Sequence, residues 1–298
     1  MPLNVPGILA PLQFLVNPRI IVPNLSVKDI RYLDFNALKH AGYRGVVFDK
    51  DNCLTPPKED NLVPDIEGAW KECREVFGEG NVIVVSNTAG AHVDAGGIQA
   101  ESVRYHLGVP VLFHSSFKPA YSCVHQIRSY FRSLPKSIED DELIVVGDRL
   151  FTDIVLASRL REKTFRDRFW SRSKSNLSSP DASKRVISKP DDATHALPTR
   201  TTLAVWTTGL WVKEATVMRF CERKLLEGVR KWVIAPAENR AEGKEVDRVS
   251  PMKNAEYDED PLKRAFVREI PPPPPPRKRT ILQSIVVFVQ ALQFRRSG

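Results

Sequence analysis

No stretch of this chain is apolar for the ~20 residues that a membrane-crossing helix needs, so a bilayer-spanning reading is excluded first. Cysteine is scarce and scattered. Cys53, Cys73, Cys123 and Cys221 form no C-x-x-C pair and keep no metal-ligand spacing with histidine, which argues against a disulfide or zinc framework and makes a reducing compartment the default. The charged start and cleavage pattern of a secretory signal are lacking too. Acidic residues are absent before Asp29, as in a mitochondrial presequence, but only Arg19 and Lys28 supply positive charge there.

The chain is 298 residues long and carries a net charge of +8, which suits acidic partners without choosing among them. Its apolar residues are unevenly spread. Residues 1–40 read as an N-terminal arm that includes the apolar piece Gly7–Val16. Residues 41–234 read as one α/β domain interrupted by a Ser- and charge-rich insertion at 161–200, expected to be flexible or disordered. Residues 235–298 read as a low-complexity tail with the proline run Pro271–Pro276 and the apolar segment Ile281–Phe294. The two apolar ends suit either a place in a membrane surface or docking on this chain or another copy of it.

Within the domain, strand and helix patterns alternate. Gly45–Asp49, Val82–Ser86, Val111–Phe113, Leu143–Gly147 and Leu203–Trp206 read as buried strands. Ile66–Phe77, Ile98–Leu107, Ala120–Phe131, Phe151–Leu160 and Ala215–Trp232 read as helices. This alternation predicts a doubly wound parallel sheet covered on both faces.

Polar residues collect where the strands end. Asp49 and Asp51 follow the first, Ser86 and Asn87 the second, and Asp148 the fourth, with Asp153 in the next helical turn; Lys118 lies in a loop before a helix. Taken singly each is weak, since D-x-D-N and Ser-Asn also make solvated turns and an Asp pair also caps helices. Together they supply what phosphoryl transfer through an aspartyl-phosphate requires. Asp49 is the candidate nucleophile, and Asp51 the acid that protonates the leaving alkoxide and then deprotonates water. Ser86, Asn87 and Lys118 are the candidate phosphate holders. Asp148 and Asp153 are candidate ligands for Mg²⁺, which takes few protein carboxylates.

The ordered set Asp49-x-Asp51, Ser86, Lys118 and Gly147-Asp148 with Asp153 resembles the haloacid dehalogenase-like phosphatases, whose fold is Rossmann-like. Cys53 departs from that pattern, standing where Thr or Val is usual. Little more than a helix and a strand separates Asp51 from Ser86, or Ser86 from Lys118, so the domain is expected to be capless and its site open. Phe48–Leu54, Val85–Gly90 and Val146–Ile154, with Asn17-Pro18 and Val22–Leu25, further resemble the mitochondrial phosphatidylglycerophosphate phosphatases of fungi and plants. That resemblance runs to about Ala157 and resumes over Leu203–Trp232.

The resemblance implies removal of the terminal phosphate of phosphatidylglycerophosphate on the route to cardiolipin. It implies a peripheral protein on the matrix side of the mitochondrial inner membrane, with an anionic phospholipid substrate and membrane surface as partners. It also implies that Asp49 and Asp51 join Asp148 and Asp153 at the metal, Asp51 through its backbone carbonyl. No nucleic-acid partner is expected, and a homo-oligomer is left open. Two rival readings are a phosphatase for phosphoproteins or nucleic-acid ends, and a non-catalytic adaptor using the proline run.

Overall fold

The computed structural model of the protein describes residues 17–162, 200–212, 216–234 and 261–270. The apolar segments at 7–16 and 281–294, the proline run and nearly all of the 161–200 insertion lie outside the described residues. Five strands, β1 (Leu25–Val27), β2 (Gly45–Phe48), β3 (Val82–Val84), β4 (Leu143–Gly147) and β5 (Leu203–Thr207), form one sheet in the order β1-β5-β4-β2-β3. Every pairing is parallel.

Strands β2, β3 and β4 are short runs rich in Val and Ile and are buried along their whole length. Period-2 alternation divides them between two cores. Val46, Phe48, Ile144 and Val146 face a core built with α1 (Phe35–His40), α2 (Glu67–Phe77) and α3 (Ile98–Leu107). Val47, Ile83, Val85 and Val145 face a second core with α4 (Tyr121–Ser133), α5 (Val155–Arg161) and α6 (Thr216–Val229). The apolar stripe of α4, Cys123, Val124, Ile127 and Phe131, has the helical spacing that this packing needs. The predicted α/β class and parallel sheet are thus what the chain adopts.

Three local readings differ from the sequence pattern. Val111–Phe113, read as a strand, meets the sheet only at the parallel bridge Val84–Val111; Pro110 has no N–H to extend the ladder, and Phe113 turns out to solvent at 63% exposure. The described part of the arm is woven into the domain: β1 lies along β5, and Asn24 exchanges hydrogen bonds with Ala204. Within the tail, α7 (Pro261–Phe266) buries Phe266 edge-on against Tyr43, and Arg268 pairs with Glu72 and Asp34. A three-residue strand and a six-residue helix are too short to give a periodic signal.

The chain runs β2 to β3 on one side of β2 and returns on the other as β4, so the order reverses between β2 and β4. Beyond the carboxyl ends of strands at such a reversal the connecting loops part and leave a crevice.

Candidate active site

Asp49 and Asp148 stand one residue beyond β2 and β4, on either side of that crevice. The Asp49 N–H donates to the Val146 carbonyl at 2.9 Å, which fixes its backbone to the neighbouring strand. Asp153 comes from the single π-turn Leu150–Ile154 that leads into α5, and its Oδ2 accepts the Arg149 N–H at 3.2 Å. Its carboxylate lies directly over Gly147. A Cβ on that glycine would meet Asp153 atoms at 2.4 Å, so no larger residue fits there without moving the acid.

These three side chains converge. Asp49, Asp148 and Asp153 each offer a carboxylate oxygen, all within 4.8 Å of one another, and no histidine or cysteine shares the cluster among the described residues. Such an all-carboxylate set matches a hard divalent cation. Asp148 Oδ1 is buried and has no hydrogen-bond partner, as a position kept for a cation would be.

Two buried cations face the cluster. The Lys118 ammonium donates to Asp49 Oδ1 at 2.7 Å and to Asp153 Oδ1 at 2.9 Å. Arg219 of α6 donates to Asp148 Oδ2 through Nη2, while the Asp148 carbonyl accepts from Arg219 Nη1 at 3.3 Å and from the Trp206 indole at 3.0 Å. Burial works against the charge on Lys118, but Asp153 and Asp49 outweigh it and raise its pKa. Burial pushes the Asp148 carboxyl up to about 7, with Asp49 and Asp153 adding to the rise and Arg219 opposing it. Asp49 is raised for the same first reason, and Lys118 restrains it.

Asp51 points elsewhere. Its Oδ1 accepts the Lys58 N–H at 3.1 Å and lies 3.0 Å from the Lys50 ammonium, while Oδ2 accepts from the Thr88 hydroxyl at 3.3 Å. Its carboxylate therefore stands outside the three-acid cluster, and at 29% exposure it remains open to solvent where Asp49 is at 12%. The fully buried Lys50 is anchored below it by the Glu59 carbonyl at 2.8 Å and by Asp60.

Ser86 is buried, and its Oγ lies 2.9 Å from Thr88 Oγ1 and accepts the Thr88 N–H at 3.2 Å. A chain of hydroxyls thus links Ser86 to Asp51. The Asn87 side chain is engaged with the backbone of Lys118: Oδ1 accepts the Lys118 N–H at 2.6 Å and Nδ2 donates to the Lys118 carbonyl at 3.4 Å. In this arrangement Asn87 holds the lysine loop. His114 assists, with one ring nitrogen 2.8 Å from the Ser86 carbonyl and the other 2.7 Å from that of Ser116.

Every sequence-predicted site residue therefore gathers at this one edge of the sheet. Arg219, Thr88, Lys50 and His114 are additions. The D-x-D spacing points at Lys50 only by adjacency, and nothing in the helix pattern of α6 separates Arg219 from the other basic residues around it.

A family model described as mitochondrial PGP phosphatase matches residues 5–162. The chain is 38% identical over 159 residues to a phosphatidylglycerophosphate phosphatase 1, chloroplastic/mitochondrial, of Arabidopsis thaliana, covering 53% of this chain and 44% of that protein. It is 37% identical over 156 residues to a mitochondrial phosphatidylglycerophosphatase of Saccharomyces cerevisiae, covering 52% and 82%. A probable mitochondrial phosphatidylglycerophosphatase of Schizosaccharomyces pombe is 32% identical over 167 residues, covering 53% and 79%. The chain thus spans less than half of the plant protein and most of the two yeast ones. No solved structure matches.

Proposed function

The chain belongs to the mitochondrial PGP phosphatase family, and from that premise we propose that it hydrolyses the terminal phosphomonoester of phosphatidylglycerophosphate, giving phosphatidylglycerol for cardiolipin synthesis. The observation that carries the chemistry is the cluster of Asp49, Asp148 and Asp153 around the unpartnered Asp148 Oδ1. Those three carboxylates, with the backbone carbonyl of Asp51, would hold Mg²⁺. When bound, the ion supplies positive charge against the phosphoryl oxygens.

The side chains divide the remaining work. Lys118 occupies Asp49 Oδ1 and leaves Oδ2 as the attacking oxygen. That oxygen forms a bond to phosphorus as the bond from phosphorus to the ester oxygen breaks, and Asp51 delivers a proton to the departing alkoxide. Asp51 then takes a proton from water, whose oxygen attacks phosphorus and releases Asp49 with inorganic phosphate. The Ser86 and Thr88 hydroxyls and the Lys118 ammonium receive the phosphoryl oxygens. Asn87 and His114 keep the lysine loop in register for this.

An open site supports a lipid head group over a small enclosed metabolite. The segment between Asp51 and Ser86 is filled by α2 and β3, and that between Ser86 and Lys118 by α3, with no inserted cap. No helix among the described residues is long and apolar enough to cross a membrane. The names of the relatives support a mitochondrial location, and within it we propose peripheral attachment on the matrix face of the inner membrane.

Phosphate release from phosphatidylglycerophosphate in mixed micelles with Mg²⁺ tests the reading, with Asp49→Asn as the control. Release from the lipid that disappears in the variant is the expected result. Release from a phosphopeptide or an aryl phosphate but not from the lipid would discard the substrate and keep the mechanism. No release from any of them would return the adaptor reading.

A further inference from the structure

The carboxyl edge of the sheet carries exposed apolar side chains on both sides of its acidic centre. Val93, Ile98 and Phe113 are 39%, 75% and 63% exposed on the β3 side, and Val212, Val217 and Met218 are 44%, 76% and 55% exposed on the β5 side. The framework of the site ties both groups to its rim. Phe113 precedes His114, which bonds the Ser86 carbonyl. The Val212 N–H donates to Asn52 Oδ1 at 3.0 Å, beside Asp51. Met218 precedes Arg219, which reaches Asp148. None of the six serves the packing of either core.

Cations share this rim. Lys58, exposed, is held by its own N–H to Asp51, and Lys28, also exposed, follows the carboxyl end of β1 with its carbonyl bonded to the Gly209 N–H. Farther along α6, Lys224 lies 5.9 Å from the ring centre of Phe220, itself 58% exposed. Apolar side chains beside lysines form the pairing that inserts into acyl chains while the ammonium groups meet anionic head groups.

We infer that this edge is the face by which the protein rests on an anionic lipid surface, with Val93, Ile98 and Phe113 on one side of the catalytic crevice and Val212, Val217 and Met218 on the other. The inference rests on the lipid-phosphatase reading and deepens it, because a head group lying between the two apolar groups reaches Asp49 without leaving the membrane. A second copy of the chain covering both groups would roof the crevice and shut out any phosphorylated substrate. A bilayer supplies that substrate from the same side.

The test uses the full chain and flotation with vesicles of phosphatidylcholine, with and without phosphatidylglycerol. Two paired variants, Ile98→Ser with Phe113→Ser and Val217→Ser with Met218→Ser, change only exposed side chains. Each pair is expected to weaken partition into the anionic vesicles by about tenfold or more, leaving turnover of a soluble aryl phosphate unchanged. Partition unaltered in both pairs overturns the inference. So does a change of oligomer mass with unaltered partition, which would make the edge an interface between copies. If the pairs lose partition while the unmodified chain fails to hydrolyse phosphatidylglycerophosphate, the docking face stands and the substrate reading falls.

Discussion

The acidic and the basic halves of the crevice are built differently. Asp49 and Asp148 are set by strand ends, one residue from ladder hydrogen bonds, and Asp153 by the turn that follows. Lys118 comes from a loop that touches the sheet only through a single bridge before it, and Arg219 from a helix distant in sequence. The acids are placed by backbone regularity. Lys118 is placed by side chains holding other backbones, Asn87 on Lys118 itself and His114 between Ser86 and Ser116, and Arg219 by a helix packed on the second core. Repulsive groups thus sit at strand ends and the turn after them, while the ammonium that relieves the repulsion at Asp49 and Asp153 sits on a loop held by a few directed bonds.

If that contrast is real, removing a cation should cost more than loosening its support. The largest effect is expected for Lys118→Met, which leaves Asp49 and Asp153 buried without their shared ammonium. Phosphate release should fall by about 10²–10³-fold, and thermal unfolding should register a loss of about 3–5 kcal/mol in the metal-free protein. Next comes Arg219→Met. Asp148 keeps its place on β4 but loses the partner that orients it, so Mg²⁺ titrations should show about 10–100-fold weaker binding with turnover at saturating Mg²⁺ much less affected. Equal losses at all Mg²⁺ concentrations would mean that Arg219 acts elsewhere.

A third expectation concerns pH. A carboxyl whose folded pKa exceeds its unfolded value contributes stability at low pH that is lost as pH rises through the folded value. Asp148, raised from 3.8 to about 7, and Asp49, raised as well, should therefore make the metal-free protein melt at falling temperatures as pH increases through that window. Added Mg²⁺ should raise the melting temperature more above that window than below it. A metal-free melting temperature flat across the window would break the link between cluster and stability. The smallest effect is expected for Asn87→Ala, whose two bonds to the Lys118 backbone contribute about 1 kcal/mol each. Turnover should drop only several-fold. In combination with Lys118→Met the loss should be less than additive, because Asn87 acts through the ammonium.

The same contrast explains what the sequence disclosed. Asp49, Ser86 and Asp148 could be placed because each closes a run of β-branched residues that has no other plausible conformation. Lys118 was legible only through its order among the other motifs. Arg219 was not, since α6 also carries Arg223 and Lys224, and only folding shows which cation turns inward. Its place after β3 suggests Asn87 as a phosphate holder, yet its amide is spent on the neighbouring loop, a use that leaves no trace in spacing. The lattice of strands was legible except at its two edges, where β1 is three residues long and Val111–Phe113 makes a single bridge to β3.

That edge strand has a consequence for the order of assembly. Asn24 and Ala204 bond across 180 residues of sequence, and among the described residues β1 pairs with no strand but β5. As the chain grows, β2, β3 and β4 can close on one another early, but β1 has no partner until β5 follows, and β4 meanwhile presents an open edge. Contacts so far apart are slow to form and leave partly built sheets exposed to wrong pairing. A chain cut after Arg161 retains all the predicted motif residues yet never acquires β5, Trp206 or Arg219. The piece carrying the recognisable signature is therefore shorter than the piece able to finish folding.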